Sequence, residues 1–418
     1  MSGPGLTAEQ AALVAEVRDT AAAELRPVAE AGTPGRVNRD LIKAMGQRGL
    51  LARLFPGIAV AGGAAAGAGR ARPGSGGDQR GAVSVTSLCL LREALATECT
   101  EAETALALQG LGSYPILQSG TPQQARRWLP AVAAGEVVPA FALSEPGAGS
   151  DAAALSLTAE PDGDGWRLTG EKSWISNAPE ADFYTVFART TPEAGGRGIS
   201  AFLVPSDRPG LTGEHIDMLS PHPIGTLAFD RVPVTASDLI GERGQGFAVA
   251  MRTLEKFRPS VGAFAVGMAQ AALEAALAHA ESRTAFGGPL ADQQAVAHLL
   301  AEMATRTEAA RLLVYSAAVA LDDHGATTPG APRATAPGDP APGTPIAARS
   351  AMAKLFATET AQFVVDAAVQ IHGARALRRG HLLEHLYREV RAPRIYEGAT
   401  EVQRTIIARE LRRQKRAR

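Results

Sequence analysis

The sequence predicts an α+β chain in three parts: an N-terminal helical domain (residues 1–136), a central antiparallel, barrel-like β domain (137–243) and a C-terminal four-helix bundle (244–418). Three observations predict it. Apolar residues recur at helical spacing before residue 136 and again after 244. Between those regions they fall in short runs punctuated by Gly, Pro and Asp, as strands do. A length of 418 residues also exceeds what one small core organises.

In the first region, Leu6, Leu13 and Val17 lie near helical spacing, with Pro27 as a breaker, and Leu88, Leu91, Leu95, Leu106 and Leu108 fit further helices. The Gly/Ala-crowded stretch Pro56–Gly81 reads as a flexible loop. In the second region, Trp166, Leu168, Phe183–Phe187 and Ile199–Val204 mark strands, and Gly163 and Gly165, flanked by Asp162 and Asp164, mark a hairpin turn. In the third, four apolar series, beginning at Phe247, Val296, Met352 and Val402, predict four amphipathic helices. The Pro/Gly-rich segment Asp323–Pro345 reads as an exposed insertion between two of them.

Composition narrows the function. Lys+Arg of 42 against Asp+Glu of 43 lacks the basic excess of a nucleic-acid or membrane-surface protein, so neither partner is expected. The basic end, Arg412–Arg418, reads as a solvated helix end or frayed tail. Cys89 and Cys99 form no C-x-x-C pair and read as reduced core residues of a cytoplasmic protein. Met1–Gln10 lacks a signal-peptide pattern, and no uninterrupted apolar run reaches bilayer length. The abundant Ala points to a GC-rich bacterial source.

Three segments carry candidate chemistry. Phe141-Ala-Leu-Ser-Glu-Pro-Gly-Ala-Gly-Ser-Asp151 offers hydroxyls and close backbone approach to a polar ring edge, and reads equally as a strand end followed by a turn. Leu168-Thr-Gly-Glu-Lys-Ser-Trp-Ile-Ser-Asn-Ala178 places the Trp174 face and the Ser176 hydroxyl two residues apart, on one side of a strand, although such a Trp also serves as core. In Arg394-Ile-Tyr-Glu-Gly-Ala-Thr-Glu401, Glu397 precedes Gly398. It is either a helix-end charge or a base whose pKa desolvation raises.

These segments, with Arg283-Thr-Ala-Phe-Gly287 and Ala368-Val-Gln-Ile-His-Gly373, resemble five signatures of the acyl-CoA dehydrogenase superfamily, in the family's order, over about Leu106–Arg409. The resemblance implies FAD as cofactor and α,β-dehydrogenation of an acyl thioester. By similarity, Phe141, Leu143 and Ser144 face the flavin, Trp174 packs near it and Ser176 approaches N5. Ser150 lies beside the phosphopantetheine arm, and Arg258 lies below the substrate chain. Arg283, Phe286 and Gln294 reach the FAD of a neighbouring subunit, and Gln370 and Gly373 its adenylate side, which implies a homotetramer or homodimer. Glu397 matches the catalytic base, Gly398 the adjoining substrate contact and Thr400 a cofactor contact. The family's other base position is here Phe257, which cannot take a proton. The implied substrate is an acyl-CoA or a carrier-bound acyl thioester, and the implied electron acceptor is an electron-transferring flavoprotein.

The chain departs from the family at Ala399, where Thr is usual, at Ala374, where a second Gly is usual, and across Pro56–Gly81. These departures point to a specialised substrate, such as an acyl group on a carrier protein. Three competing readings concern the chemistry: a flavin oxidase or monooxygenase on the same fold, an inactive scaffold, and zinc hydrolysis through His381-Leu-Leu-Glu-His385, an H-x-x-E-H string. No metal is expected. Gly241-Glu-Arg-Gly-Gln-Gly246 lacks the strand–helix setting of a dinucleotide loop and reads as the entry to the first bundle helix.

Overall fold

The computed structural model describes residues 6–58, 84–326 and 345–417. Six helices come first: α1 (Ala8–Thr20), α2 (Arg26–Glu30), α3 (Arg39–Gln47), α4 (Val85–Glu98), α5 (Thr100–Ser119) and α6 (Pro122–Ala133). Eight strands follow: β1 (Pro139–Ala142), β2 (Thr158–Asp162), β3 (Gly165–Ser176), β4 (Phe183–Arg189), β5 (Ile199–Pro205), β6 (Leu211–His215), β7 (Ile224–Thr235) and β8 (Leu239–Ile240). The remainder is α7 (Gly246–Ser282), a small hairpin of β9 (Thr284–Ala285) and β10 (Gly288–Pro289), α8 (Gln294–Ala326), α9 (Ile346–His372), α10 (Leu382–Glu389) and α11 (Thr400–Ala417). Helices, then sheet, then helices is the expected order. By contacts the chain divides into two compact units, one of Met1–Ala22, Ser84–Glu103 and Glu255–Arg418, the other of Ala23–Val83 and Thr104–Leu254.

The second unit holds the sheet, in the order β6-β7-β3-β2-β4-β5-β8 with β1 paired to β4. The barrel-like expectation needs correction: the sheet is open, because β8 is two residues long and pairs with β5 alone while β6 pairs with β7 alone. It is also not wholly antiparallel, since β1 runs parallel to β4 across a long crossover. The Gly163 turn is as expected, with Asp162 opposite Gly165 and Gly163 at φ 58°. Strand β4 is buried on both faces from Phe183 to Ala188. The Phe183 ring packs 4.8 Å from Trp128, and Phe187 lies 4.9 Å from Phe141.

The first unit is built on α4, α7, α8 and α9, whose core is rich in Ala, with Phe264, Met268, Met303 and Val364 as its larger members. Asp322 of α8 caps α4, accepting from the Val85 and Thr86 amides at 2.6 and 2.9 Å. The four expected helices are α7, α8, α9 and α11, but α8 continues to Ala326, so Asp323–Ala326 belong to the helix and not to the insertion. Residues 327–344 of that insertion, and nearly all of Pro56–Gly81, lie outside the described residues. Helix α7 is long and apolar enough to cross a membrane by length and composition, although polar residues interrupt its apolar run; its apolar stretch is 67% buried in the protein, as a core helix is. Pro27 does not end the first helix. The chain leaves α1 through a π-helical turn, Ala21–Leu25, and runs directly into α2, whose second residue is Pro27.

Candidate active site

Glu397 lies in the turn between a short 3₁₀ segment, Ala392–Arg394, and α11. Its φ is 49°, and the next residue, Gly398, stands at 92°. Two side chains hold this turn. Gln403, one turn into α11, donates to the carbonyls of Glu397 (3.4 Å) and Gly398 (2.8 Å). Lys354 of α9, fully buried, donates to the Gly398 carbonyl at 2.8 Å. The φ of 92° favours Gly at residue 398, and a Cβ there would displace the Gln403 amide that holds the turn. The residue keeps some exposure, but Glu397 Oε2 is buried and accepts no hydrogen bond.

Burial raises the Glu397 carboxyl above its ordinary value, against the pull of three cations, Arg92, Lys354 and Arg258 in that order. Arg92 of α4 is 2% exposed; it is ion-paired to Glu103 and donates to the Ser260 hydroxyl at 2.7 Å. Arg258, expected below the substrate, is on α7 with its Nε buried and partnerless, and burial lowers its pKa. Burial lowers Lys354 to about 8. Phe257, at the alternative base position, is buried in the core.

In the unit that holds the sheet, the Phe141–Asp151 segment is clamped from behind. Lys172 of β3 is fully buried and donates to the Leu143 carbonyl (2.9 Å) and to Glu145 (2.8 Å). Glu145 in turn accepts from the amides of Ser156 (2.6 Å) and Leu157 (2.9 Å), and the Ser173 amide donates to the Ser144 carbonyl. Ser150 is exposed in the following bend. The reading of Trp174 and Ser176 as neighbours on one strand face needs correction. The β3–β7 register shifts between Lys172 and Ile175, and Trp174 takes φ 61°, so a bulge breaks the two-residue alternation and re-aims the indole. Trp174 is 54% exposed and not part of the core. The Ser176 hydroxyl bonds His222 Nε2 at 2.8 Å; burial lowers that imidazole to about 4 and keeps it neutral.

The remaining predicted residues gather at helix ends of the first unit. The His279 ring stacks on His372 at 4.2 Å, joining the end of α7, which leads to Arg283, to the end of α9, which carries Gln370 and Gly373. Phe286, at the tip of the β9–β10 hairpin, is 93% exposed with φ 53°, and Gln294 begins α8 on the surface. Thr400 is elsewhere: it is 5% exposed and its hydroxyl donates to Glu359 at 2.9 Å, beside a cavity of about 600 Å³ lined by Glu359 and Arg394. The H-x-x-E-H imidazoles are committed to other tasks. His381 Nδ1 accepts from the Leu383 amide, and His385 Nε2 bonds the Thr100 hydroxyl. Among the described residues no His, Cys, Asp and Glu group is placed to hold a metal. Sequence reasoning missed Arg92, Glu103, Lys354, Gln403 and His222, none of which sits in a five-signature segment; a basic or acidic residue inside an apolar helical stripe was the available signal for the first three.

The chain matches the family models for the acyl-CoA dehydrogenase N-terminal domain over residues 7–136, the middle domain over 140–232 and the C-terminal domain over 244–412. It is 36% identical over 399 residues to the mitochondrial short-chain specific acyl-CoA dehydrogenase of Bos taurus, covering 94% of this chain and 88% of that one. It is 33% identical over 410 residues to the cyclohexane-1-carbonyl-CoA dehydrogenase of Geobacter metallireducens, covering 97% and 98%. Butyryl-CoA dehydrogenase from Megasphaera elsdenii has the same fold, with a TM-score of 0.82 at 30% identity, covering 97% of this chain and 99% of the other.

Proposed function

The chain belongs to the acyl-CoA dehydrogenase family, and from that premise we propose that Glu397 is the base of its reaction. The reaction is FAD-dependent α,β-dehydrogenation of an acyl-CoA, giving the trans-2-enoyl thioester. One observation carries the assignment: a buried carboxylate oxygen without a partner, held on a turn that Lys354 and Gln403 fix. An α-proton of a saturated thioester is too weakly acidic for a carboxylate in water. A dry site raises the base, and the Glu397 amide is the donor we assign to the thioester carbonyl, where charge develops. Glu397 takes the α-proton as the Cβ hydrogen leaves with its electron pair and the double bond forms. Bound FAD supplies the acceptor for that hydride.

The residues present fit such a cofactor. Trp174 leaves a large aromatic face uncovered, and the Phe141–Asp151 segment offers hydroxyls and glycines at which an added Cβ would meet nothing within 4 Å at Gly147 or Gly149. We assign the flavin to Phe141, Leu143, Ser144, Trp174 and Ser176, the phosphopantetheine arm to Ser150, the FAD pyrophosphate of a neighbouring copy to Arg283, helped by Phe286 and Gln294, and the adenylate side to Gln370 and Gly373. Thr400 is assigned to the cofactor set as well; its hydroxyl donates to Glu359 and its oxygen stays able to accept. The acceptor of the reduced cofactor's electrons is assigned as an electron-transferring flavoprotein. Cys89 and Cys99, buried and not joined in a disulfide, suit a reducing compartment such as the cytoplasm.

The test is anaerobic mixing of the purified enzyme with a panel of CoA and carrier-bound acyl thioesters, following bleaching of the flavin. Bleaching by CoA thioesters is expected; bleaching by carrier-bound acyl groups alone moves the assignment to a carrier substrate. Glu397→Gln is expected to retain FAD and lose about 10²- to 10⁴-fold in bleaching rate. Undiminished bleaching by that variant removes Glu397 from the reaction.

A further inference from the structure

We propose that His222 is a positioning residue for the dehydrogenation: its ring takes the hydrogen of the Ser176 hydroxyl and so turns the hydroxyl's lone pairs toward the flavin edge that receives the hydride. The inference rests on the assignment of Ser176 to the flavin. The geometry behind it lies within one unit of the chain. Ser176 closes β3, and its Oγ lies 2.8 Å from His222 Nε2. This end of β3 runs beside the Phe141 segment in the opposite direction. Lys172 reaches the Leu143 carbonyl, the Ser173 amide the Ser144 carbonyl, and the Asn177 side-chain amide the Pro139 carbonyl at 2.9 Å. Ser176 therefore belongs to the stretch that carries the uncovered Trp174 ring, laced along the stretch that carries Ser144.

The sequence around His222, Ser220-Pro-His-Pro-Ile224, is built to hold a ring still. Proline on either side fixes its own φ, and Pro223 also keeps the residue before it extended. The His222 amide donates to the Ser220 carbonyl at 2.8 Å, and the Ile216 amide to the Ile224 carbonyl at 2.9 Å, which closes the loop between β6 and β7. Two contacts tie that loop to β3. Ile224 pairs with Ser176 in the ladder, and the Pro223 carbonyl accepts from the Asn177 amide at 2.8 Å. The ring and the hydroxyl are thus presented to each other by backbone bonds on both sides. A hydroxyl has one hydrogen and two lone pairs. With the hydrogen given to Nε2, only lone pairs are left to face the cofactor. Nε2 can accept only from an uncharged ring, and burial, which lowers His222 to about 4, keeps it uncharged at neutral pH. An edge that receives a hydride gains a hydrogen and turns from acceptor to donor. A hydroxyl oriented by His222 offers no hydrogen to the oxidised edge and accepts from the reduced one, so it favours reduction.

The experiment is an anaerobic dye titration of the FAD-loaded protein, which reads the flavin's two-electron midpoint potential, beside the rate of bleaching by the CoA thioester that reduces the parent fastest. His222→Phe and His222→Leu, which lack an acceptor, are expected to lower the potential by about 30 mV, a tenfold change in the redox equilibrium, and to slow bleaching. His222→Gln, whose amide oxygen can accept from the hydroxyl, should restore most of the potential. In a Ser176→Ala background His222→Leu should shift nothing further, because the imidazole acts only through that hydroxyl. Two acceptor-free variants keep the test open if one fails to fold. A potential that stays or rises in a folded His222→Phe or His222→Leu variant overturns the proposal, as does a shift that persists in full without the Ser176 hydroxyl. A changed potential in Ser176→Ala beside an unmoved one in His222→Leu leaves Ser176 at the flavin and removes only His222. A Ser176→Ala variant with the parent's potential and bleaching rate removes both.

Discussion

A non-glycine residue in the left-handed region costs about 1–3 kcal/mol, and Glu397 and Trp174 both sit there, at φ 49° and 61°. Such a conformation persists only where its surroundings over-determine it. For Glu397 the determinants are two donors, Gln403 and Lys354, that share the Gly398 carbonyl. Gln403→Ala strips the turn of its link to α11 and leaves a carbonyl short of a donor. Thermal denaturation is expected to show a loss of about 1–3 kcal/mol. The bleaching rate should fall by about 10²-fold from misplacement of the carboxylate, with FAD content unchanged. A variant that loses stability but keeps its rate would show that the turn is not what aims the base. A second residue-scale expectation concerns acid stability. Burial pushes the Glu145 carboxyl up, but Lys172 and the amides of Ser156 and Leu157 bring it below its ordinary 4.5. A folded value below the unfolded one contributes stability that is fully present above pH 4.5 and lost as pH falls through the folded value. Glu145→Gln should therefore be less stable than the parent at neutral pH, with the gap closing as melts are taken below pH 4.5; a gap independent of pH would assign the loss to packing instead.

At the scale of elements, α5 meets β1 at Gly112. A Cβ there would lie 2.8 Å from the Pro139 Cβ and 2.9 Å from the Ala140 amide nitrogen, and the Gly112 carbonyl already accepts from Thr185 at 2.9 Å. Gly112→Ala must push α5 off the strand that leads into the Phe141 segment. A loss of about 1–3 kcal/mol is expected, measured by denaturant unfolding, despite the better helix propensity of Ala. A stabilised variant would show that the contact yields freely. Elements with strong periodicity were legible in the sequence: the four long helices of the C-terminal region and the Gly163 hairpin stand where spacing put them. What escaped was set by partners far along the chain. Sheet closure depends on how many rungs the end strands make, and a two-residue β8 carries no pattern to read. The Trp174 bulge is a mismatch of register with β7, invisible within β3 itself. The π-helical turn before Pro27 likewise left no local mark. Glu397 was legible as a motif, but Arg92 and Lys354 act on its carboxyl from two other helices, and a charge in a helical stripe does not name its partner.

For the whole molecule, the open question is what covers the apolar surface that folding left outside. Phe286 is 93% exposed, Leu377 70% and Leu411 54%, all on the unit that carries Arg283, Gln370 and Gly373. A bare aromatic ring at a hairpin tip, on a strained backbone, is poorly explained by the stability of a lone chain. If it serves the cofactor of a neighbouring copy, oligomer and cofactor are thermodynamically linked: whatever binds the assembled state alone stabilises that state. Phe286→Ser should then lose FAD on dilution at concentrations where the parent stays yellow. Sedimentation should show smaller species in the same range, and added FAD should restore the mass. The effect of FAD on melting should shrink as well, from the roughly 2.7 kcal/mol that a hundredfold excess over its dissociation constant confers on a single-site binder. The fold within each chain should not change, because the ring contacts solvent and not the core. A variant that keeps both its mass and its FAD at high dilution would detach this hairpin from the cofactor and confine the pyrophosphate assignment to residues of one chain.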